Sequence, residues 1–396
     1  MKKTKILYVF HVSAIGGGSF CLLNMIKVLD TEKFEAVVCL KSKGPLVDEL
    51  NKLGVKAIIK PFLNTVPYNR SLMRYSSIKQ ILLFLFSMRK FKMFIKELNP
   101  DIVHLNTMMM HPYAIAAKKN RSKVVVHARE HWPINENALQ LKLARSIIKK
   151  YSDKLIAINK TTANILNLPL KTVIVYDWID FEDREKAIPF RSLFGEKHDE
   201  LKVLLFLGGL QKIKGSLDIA IFFNEVISYK DLRLLIVGGN SKEIDYSGMK
   251  GILKRTMKLF NFYSYSDKIK RIAQKDDRIV LIPPSHQVKS LFEQSYCTIA
   301  YPTVPHAILP IAEAIFLGKP VLSARTQEAL EYSNEGKGAT FFELNNKEDF
   351  LLKLKYVLES SEEIEQNALD SCEYIKEVFS KENNALILNN TYKTLV

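Results

Sequence analysis

The sequence lacks the features that mark several classes of protein. It has only four cysteines in 396 residues, and no two of them form a Cys-x-x-Cys pair. A disulfide framework or a zinc site is therefore not expected, and thiols scattered in this way fit a reducing cytoplasm. The longest apolar cluster, Ile81–Phe86 with Met88, falls far short of the roughly 18 residues that span a bilayer.

The first residues lack the pattern of a secretory signal peptide. Met1, Lys2 and Lys3 precede the apolar run Ile6–Phe10, but no small-residue cleavage site follows it. We interpret this run as a first β-strand. Hydrophobic residues make up 47% of the chain and charged residues 25%, which is typical of globular proteins, and the length predicts two or three domains.

Acidic residues are scarce in the first half of the chain. Residues 1–180 hold 29 Lys and Arg against 12 Asp and Glu, whereas the remainder holds 29 against 30. Between residues 51 and 129, only Glu97 and Asp101 oppose 15 basic residues. This one-sided charge predicts an anionic partner for the first half, such as nucleic acid, anionic lipid headgroups or a phosphorylated substrate. Solubility without any partner is the alternative.

Short β-rich runs alternate with helical stretches in both halves. The first half contains apolar runs such as Lys5–Phe10, Phe34–Leu40 and Ile102–Leu105, a loop at His11–Phe20 and a long helical stretch at Tyr75–Leu98. The pattern restarts at Lys202–Leu207 after a polar connection, Asp177–Glu200. Such alternation predicts an α/β protein with two doubly wound parallel sheets. The expected domains are residues 1–180 and 181–375, with a C-terminal helix, 376–396, packing back on the first domain.

Several motifs occur in an order that resembles one family. They are Gly16–Gly18 after the first strand, Pro100–His104, Val126-His127, Gly208-Gly209 with Lys214-Gly215, and Glu313-Ala314 with Gly318–Val321. Together they resemble GT-B glycosyltransferases of the family 4 type, close to those of surface polysaccharide biosynthesis. The resemblance covers essentially the whole chain. It implies two Rossmann-like domains facing across a cleft, an acceptor-binding domain followed by a donor-binding one.

The resemblance also implies an activity. A hexosyltransferase of this type would move a sugar from a UDP- or GDP-linked donor to a glycan or lipid-linked acceptor, with retention and without metal or cofactor. The sequence contains no Asp-x-Asp run of the kind that bridges a metal to a diphosphate. Lysines and helix dipoles would then stabilise the charge on the leaving diphosphate.

The candidate donor site begins at the strand that ends in Gly208 and Gly209. A diphosphate is bound in proteins by backbone N–H groups, helix N-termini and Lys or Arg. The resemblance assigns Lys214 to the diphosphate. We expect Lys212 to replace the Arg that the family carries at the position of Gly209. A plain strand–helix turn with solvated lysines is the alternative.

Glu313 is the strongest single candidate. It follows Pro310, which suits the first turn of a helix, so its carboxylate is expected near the helix N-terminus, where negative charge is favoured. Capping alone is the alternative. The resemblance assigns Glu313 to the ribose hydroxyls, with the N–H groups of Leu309 and Ile311 facing the phosphates. His306 follows Pro305, which stands where the family usually has Glu. We expect His306 to reach the transferred sugar. The catalytic candidates are therefore His127, His306 and Glu313.

Candidate acceptor-binding residues lie in the first half. Gly16, Gly17 and Gly18 lack the spacing of a dinucleotide fingerprint, so they mark either a ligand loop at the cleft or only a tight turn. His127 and Arg129 follow a predicted strand, and polar residues at the carboxyl ends of parallel strands line ligand crevices. We expect both to bind sugar or acceptor, although a lone histidine is more often structural.

The basic stretch Ser71–Leu98 has apolar residues at helical spacing. We expect it to lie on an anionic membrane surface, which would make the protein peripheral on the inner face of the cell membrane. An ordinary amphipathic helix with solvated lysines is the alternative.

For the whole chain, the alternatives are a sugar-nucleotide 2-epimerase of the same fold and a catalytically degenerate binding protein. Nucleic-acid binding is not expected, because no helix-turn-helix or RNP-type motif occurs.

Overall fold

The computed structural model describes residues 2–67, 75–130, 138–181, 188–195, 197–239, 263–285 and 287–396. The chain divides into two compact units. Unit 1 comprises Met1–Trp178 and Lys381–Val396, and unit 2 comprises Ile179–Ser380. The divisions therefore fall at residues 178/179 and 380/381, where the sequence predicted them at 180/181 and 375/376.

Unit 1 is built on a parallel sheet of seven described strands in the order β3-β2-β1-β4-β5-β6-β7. The strands are β1 (Thr4–Phe10), β2 (Phe34–Leu40), β3 (Lys56–Ile59), β4 (Ile102–Leu105), β5 (Lys123–Ala128), β6 (Lys154–Ala157) and β7 (Thr172–Ile174). In the buried β1, β4 and β5, apolar residues follow one another without alternation, as expected of strands covered on both faces.

Helices cover both faces of this sheet. They are α1 (Gly17–Lys27), α2 (Pro45–Lys52), α3 (Tyr75–Leu98), α4 (Tyr113–Lys119), α5 (Leu139–Tyr151), α6 (Lys160–Leu166) and a helix at Lys381–Lys393. Residues of α3, α4 and α5 share one core with alternate strand residues such as Leu7 and Val103. Residues of α1, α2 and the Lys381–Lys393 helix share the core on the opposite face with Ile6 and Tyr8.

Unit 2 repeats the arrangement with six described parallel strands in the order β10-β9-β8-β11-β12-β13. They are β8 (Lys202–Leu207), β9 (Leu232–Val237), β10 (Ile279–Ile282), β11 (Cys297–Ala300), β12 (Val321–Ala324) and β13 (Thr340–Phe342). The described helices are α7 (Phe190–Phe194), α8 (Ser216–Asn224), α9 (Tyr265–Lys275), α10 (Val288–Gln294), α11 (Leu309–Phe316), α12 (Gln327–Glu331), α13 (Lys347–Glu359) and α14 (Ser361–Val378); the Lys381–Lys393 helix of unit 1 is α15. The predicted pair of doubly wound sheets is confirmed.

Some local predictions are wrong. The predicted loop His11–Phe20 is shorter, because α1 begins at Gly17. The short strands β7 and β13 and the helix α13 were not predicted. β7 is only partly buried along its whole length, so it lacks the continuous apolar run by which the inner strands are found.

The helix α3 has the predicted bounds, Tyr75–Leu98, although residues 71–74 of the basic stretch lie outside the described residues. One of its faces packs into the core of unit 1 through Phe84, Phe91 and Ile95. Within the part of the chain that the structure describes, no helix combines the length and apolar composition needed to cross a membrane.

Candidate functional site

The loops that follow β8 and β9 pass each other closely, and glycines make this approach possible. Gly209 has φ +58°, and a Cβ there would lie 3.3 Å from the carbonyl oxygen of Gly238. Gly238 itself has φ +104°, and its Cβ would lie 2.8 Å from Gly209 Cα. A side chain at position 209 would therefore be both strained and crowded. This packing explains why glycine is required at position 209.

The loop that carries Lys214 is held in place from two sides. Gly215 has φ +71°, and a Cβ there would lie 2.1 Å from Tyr301 Cδ1, so only glycine fits between this loop and the end of β11. Thr303 fastens the same loop, because its N–H donates to the Ile213 carbonyl at 3.1 Å and its Oγ1 donates to the Lys212 carbonyl at 3.0 Å. The Lys212 side chain is exposed.

The helix α11 carries Glu313 but begins four residues before it, at Leu309. The predicted place of Glu313 was near the N-terminus of this helix. Pro310 lies in the first turn, as predicted. Glu313 is the fifth residue of the helix, and no acidic residue lies in its first turn. The expectation that Glu313 sits at the helix N-terminus is therefore wrong by about one turn, and the helix dipole contributes little at that distance. The N–H of Ile311 donates to the Ile308 carbonyl at 3.1 Å.

The charges of Lys214 and Glu313 affect each other, since each alters the pKa of the other side chain. Burial raises the pKa of Glu313 to about 7, while the positive charge of Lys214 acts in the opposite direction. Burial likewise lowers the pKa of Lys214 to about 8, opposed by Glu313. Neither side chain has a hydrogen bond or ion pair with another described residue. A cation and a carboxylate in this state are available to a ligand that carries both negative charge and hydroxyl groups.

A small recess brings several candidates together. Gly208, Lys214, His306 and Pro310 line it, together with Tyr301 at the end of β11. The Nδ1 of His306 donates to the Val304 carbonyl at 2.7 Å. The enclosed volume is about 20 Å³, enough for about one water molecule. The recess alone therefore holds a water-sized group beside the lysine.

In unit 1, Arg129 is fully engaged in a buried ion pair. Its Nη1 lies 2.9 Å from Asp177 Oδ1, and its Nε donates to Asn106 Oδ1 at 3.0 Å. Burial opposes the charge of Arg129, but Asp177 and Cys21 outweigh it, so the pKa of the guanidinium is raised. Burial, reinforced by Asp177, raises the pKa of the Cys21 thiol. Arg129 therefore has hydrogen-bonding partners within unit 1. Its role in binding sugar or acceptor stays a prediction.

His127 lies near the carboxyl end of β5, as predicted, but it is only 1% exposed. Its Nδ1 lies 3.3 Å from the Nε2 of His104, a residue of β4. Burial lowers the pKa of His127 well below its usual range, and the positive charge of Arg129 adds to this effect. The imidazole is therefore neutral at physiological pH.

The three glycines Gly16–Gly18 occupy the start of α1. Gly16 is extended, with φ −177°, and any residue can adopt that conformation. Apart from adjacent residues and the backbone of α1 itself, no heavy atom of the described residues would lie within 4 Å of a Cβ at Gly16 or Gly17. Neither backbone strain nor packing explains these two glycines, so room for a ligand stays a prediction.

Asp177, Asn106 and Tyr392 were missed by sequence reasoning. Asp177 pairs with Arg129 across 48 residues of sequence, and the Tyr392 hydroxyl lies 2.8 Å from His104 Nδ1 across 288 residues. A single acidic residue or tyrosine carries no sequence signal of such distant partners. Only the folded register of the strands brings them together.

Comparisons with known proteins give a family match for part of the chain and a similar fold for all of it. Residues 15–183 match the model of Glycosyltransferase Family 4. A search of curated protein sequences finds no match. Among solved structures, Anabaena HepE in complex with UDP and glucose is 17% identical, with 99% of this chain and 100% of that chain covered and a TM-score of 0.72.

Two further solved structures have the same fold. The lipopolysaccharide outer core galactosyltransferase WaaB, in its apo form, is 17% identical over 99% of this chain and 100% of its own, with a TM-score of 0.61. A Listeria monocytogenes protein assigned as a UDP-N-acetylglucosamine 2-epimerase is 15% identical over 97% and 94%, with a TM-score of 0.58. The chain thus has the GT-B fold of these structures over its whole length, and residues 15–183 in its N-terminal half match Glycosyltransferase Family 4.

Proposed function

We propose that the protein transfers a sugar from a UDP-sugar to a lipid-linked glycan in surface polysaccharide biosynthesis. UDP is chosen as the nucleotide because a similar structure, that of HepE, contains UDP and glucose. Transfer with retention and without a metal ion is part of the proposal and rests on the resemblance to the family. Chelation with EDTA is therefore expected to leave the rate unchanged.

The single observation that carries the proposal is the pair formed by Lys214 and Glu313. Both side chains are half-buried and lack described partners, although each alters the pKa of the other. In the proposed complex, the Lys214 ammonium contacts the diphosphate and stabilises it as a leaving group. The Glu313 carboxylate accepts hydrogen bonds from the ribose hydroxyls. A sugar nucleotide supplies both groups on one molecule.

Thermal unfolding with nucleotides tests donor binding. Because a ligand at 100 times its Kd stabilises the folded state by about 2.7 kcal/mol, UDP and UDP-sugars should raise the melting temperature while CMP should not. Glu313→Ala and Lys214→Gln should abolish the shift. Glu359→Ala, which removes a carboxylate exposed on α13, serves as the control and should keep it. Equal shifts in all four proteins would disprove the role of the pair.

Product analysis separates the proposed transferase from an epimerase. The Listeria structure keeps the epimerase alternative open, because a chain of similar fold carries that assignment. A transferase releases UDP only when an acceptor is present, whereas a 2-epimerase converts one UDP-sugar into another without an acceptor. Binding of UDP without either reaction would support a degenerate binding protein.

The exposed face of α3 supports a membrane location for the acceptor. Besides the residues that pack into the core, the helix exposes Leu85 (61%), Phe86 (74%) and Met93 (67%). Lys79, Arg89, Lys90, Lys92 and Lys96 are exposed on the same helix, and Glu97 is its only acidic residue. Exposed apolar side chains with interspersed cations are typical of helices that lie in an anionic lipid interface.

Vesicle sedimentation tests this location. The protein should pellet with vesicles of phosphatidylcholine and phosphatidylglycerol at low salt, and much less with phosphatidylcholine alone. The double variant Leu85→Ser/Phe86→Ser should lose binding without losing its fold, since both side chains are already exposed. Leu352→Ser, at a similarly exposed leucine of α13, is the matched control. Equal binding by both variants would exclude α3 as the membrane-binding surface.

A further inference from the structure

Four buried rings of unit 1 form a continuous hydrogen-bonded chain. It runs from β1 through α15 and β4 to β5. The Tyr8 hydroxyl donates to the Tyr392 hydroxyl oxygen at 3.1 Å. Tyr392 Oη lies 2.8 Å from His104 Nδ1, and His104 Nε2 lies 3.3 Å from His127 Nδ1. All four residues are at most 1% exposed, so bulk water does not interrupt the chain.

The register of the sheet places these rings together. Tyr8 of β1 pairs with His104 of β4, and His104 pairs with Val125 of β5, two residues before His127. Side chains two residues apart on a strand point to the same face. Tyr392 covers that face from α15, in the core that also contains Tyr8 and Val125.

Both imidazoles are neutral in the folded protein. Burial, together with the positive charge of Arg129, lowers the pKa of His104 to about 3. The pKa of His127 is lowered well below its usual range by burial and by Arg129, with a smaller contribution from His104. Each ring therefore carries one N–H, and its other nitrogen accepts a hydrogen bond.

The direction of the first hydrogen bond fixes the direction of the others. Since Tyr8 donates to Tyr392, the Tyr392 hydroxyl is free to donate to His104 Nδ1. The His104 proton is then on Nε2, which donates to His127 Nδ1, and the His127 proton is on Nε2. Either direction leaves one donor without a partner among the described residues: the His127 Nε2–H in the direction given, or the Tyr8 hydroxyl in the reverse one. Tyr8 lies inside β1 with no exposed surface, so a ligand could not pair its hydroxyl, and an unpaired buried donor is costly.

The free end of the chain is the Nε2 of His127. This atom is buried and has no hydrogen-bond partner among the described residues. His127 is the penultimate residue of β5, at the carboxyl edge of the parallel sheet, where ligands of doubly wound folds bind. We propose that Tyr392 is a positioning residue, which acts through His104 to hold His127 in the tautomer that presents an uncharged N–H to an oxygen of the bound sugar. This inference rests on the proposed function only for the identity of the ligand.

Nitrogen NMR of the imidazoles tests the tautomer directly. The protein is labelled with ¹⁵N-histidine, and His127→Gln identifies the His127 signals. Wild type at pH 7 should show His127 neutral and protonated at Nε2. Tyr392→Phe removes the hydroxyl that orients His104 and should produce a mixture of tautomers. In Tyr8→Phe, His104 Nδ1 is the remaining partner of the Tyr392 hydroxyl among the described residues. Tyr392 should therefore still donate to His104, and the wild-type spectrum should be retained. A wild-type His127 protonated at Nδ1, or a Tyr392→Phe spectrum without change, would overturn the inference.

Kinetics then separate this inference from the proposed function. Loss of one well-oriented hydrogen bond should lower kcat/KM for the donor about tenfold in Tyr392→Phe, with a much smaller effect in Tyr8→Phe at similar thermal stability. If wild type transfers no sugar while the NMR result holds, the proposed function fails and the positioning chain stands. If transfer occurs and the two variants have equal kcat/KM, the positioning role fails and the proposed function stands.

Discussion

The half-buried carboxyl of Glu313 makes the stability of the protein depend on pH. Its folded-state pKa of about 7 lies above the ordinary value of 4.5 for a glutamate, so between these values the folded state keeps a proton that the unfolded state has lost. Stability therefore falls as pH rises from about 5 to 7. The loss is on the order of 2 kcal/mol, since each pKa unit corresponds to about 1.4 kcal/mol and solvent screens part of it.

Glu313→Gln should remove this dependence, because glutamine does not titrate. Melting temperatures of wild type and variant, measured from pH 5 to pH 7, should show the variant gaining relative to wild type as pH rises. Glu359→Gln, at an exposed carboxylate, should follow wild type throughout. Parallel curves for Glu313→Gln and wild type would show that burial does not raise this pKa.

Single residues were predicted best where a motif named them. The resemblance selected Lys214 and Glu313, and the structure makes each the charge that most affects the other. The sequence also showed that Gly209 departs from the family, but the reason, its contact with Gly238, depends on two loops 29 residues apart. The partners of Arg129 and His104 were beyond prediction for the same reason, since contact between distant residues depends on strand register.

At the scale of elements, two glycines that begin helices have opposite requirements. Gly215 precedes α8 with φ +71°, and an added Cβ would meet Tyr301. Gly17 begins α1, and beyond that helix an added Cβ would meet no heavy atom within 4 Å in the part of the chain that the structure describes. Gly215→Ala should therefore destabilise the protein by about 3 kcal/mol through strain and overlap, whereas Gly17→Ala should stabilise it by up to about 1 kcal/mol.

Sugar transfer by the same two variants tests the role of the glycine loop. If Gly17 leaves room for a substrate, Gly17→Ala should raise the melting temperature and yet reduce the transfer rate. Full activity of Gly17→Ala would show that the loop glycines serve the turn alone. Gly215→Ala, which perturbs the Lys214 loop, should lose both stability and nucleotide binding.

Most elements could be predicted because the inner strands are short apolar runs between helices. β2, β4 and β8 have the predicted bounds, and so does α3. The short outer strands could not be predicted, because β7 and β13 have three residues each and such a length gives no clear periodicity. The start of α1 was missed because glycine, a poor helix former, occupies its first turn.

At the scale of the whole molecule, the division into units sharpens the charge asymmetry of the sequence. Unit 1, with its C-terminal helix included, holds 31 Lys and Arg against 12 Asp and Glu, whereas unit 2 holds 27 against 30. The unit that carries α3 thus carries the entire positive excess. This distribution gives unit 1 the basic character that the proposed lipid-linked acceptor requires, and it gives unit 2 a nearly balanced charge.

The discontinuity of unit 1 affects how the chain is made. Strands β1–β7 are synthesised before unit 2, but Leu388 and Tyr392, which complete the core against β1 and β4, are synthesised after it. All of unit 2 is translated between them, which takes about 10–40 s at 5–20 residues per second. Throughout this interval the nascent first unit keeps the part of its apolar sheet face that α15 will cover exposed, so its dependence on chaperones during synthesis should exceed that of the second unit.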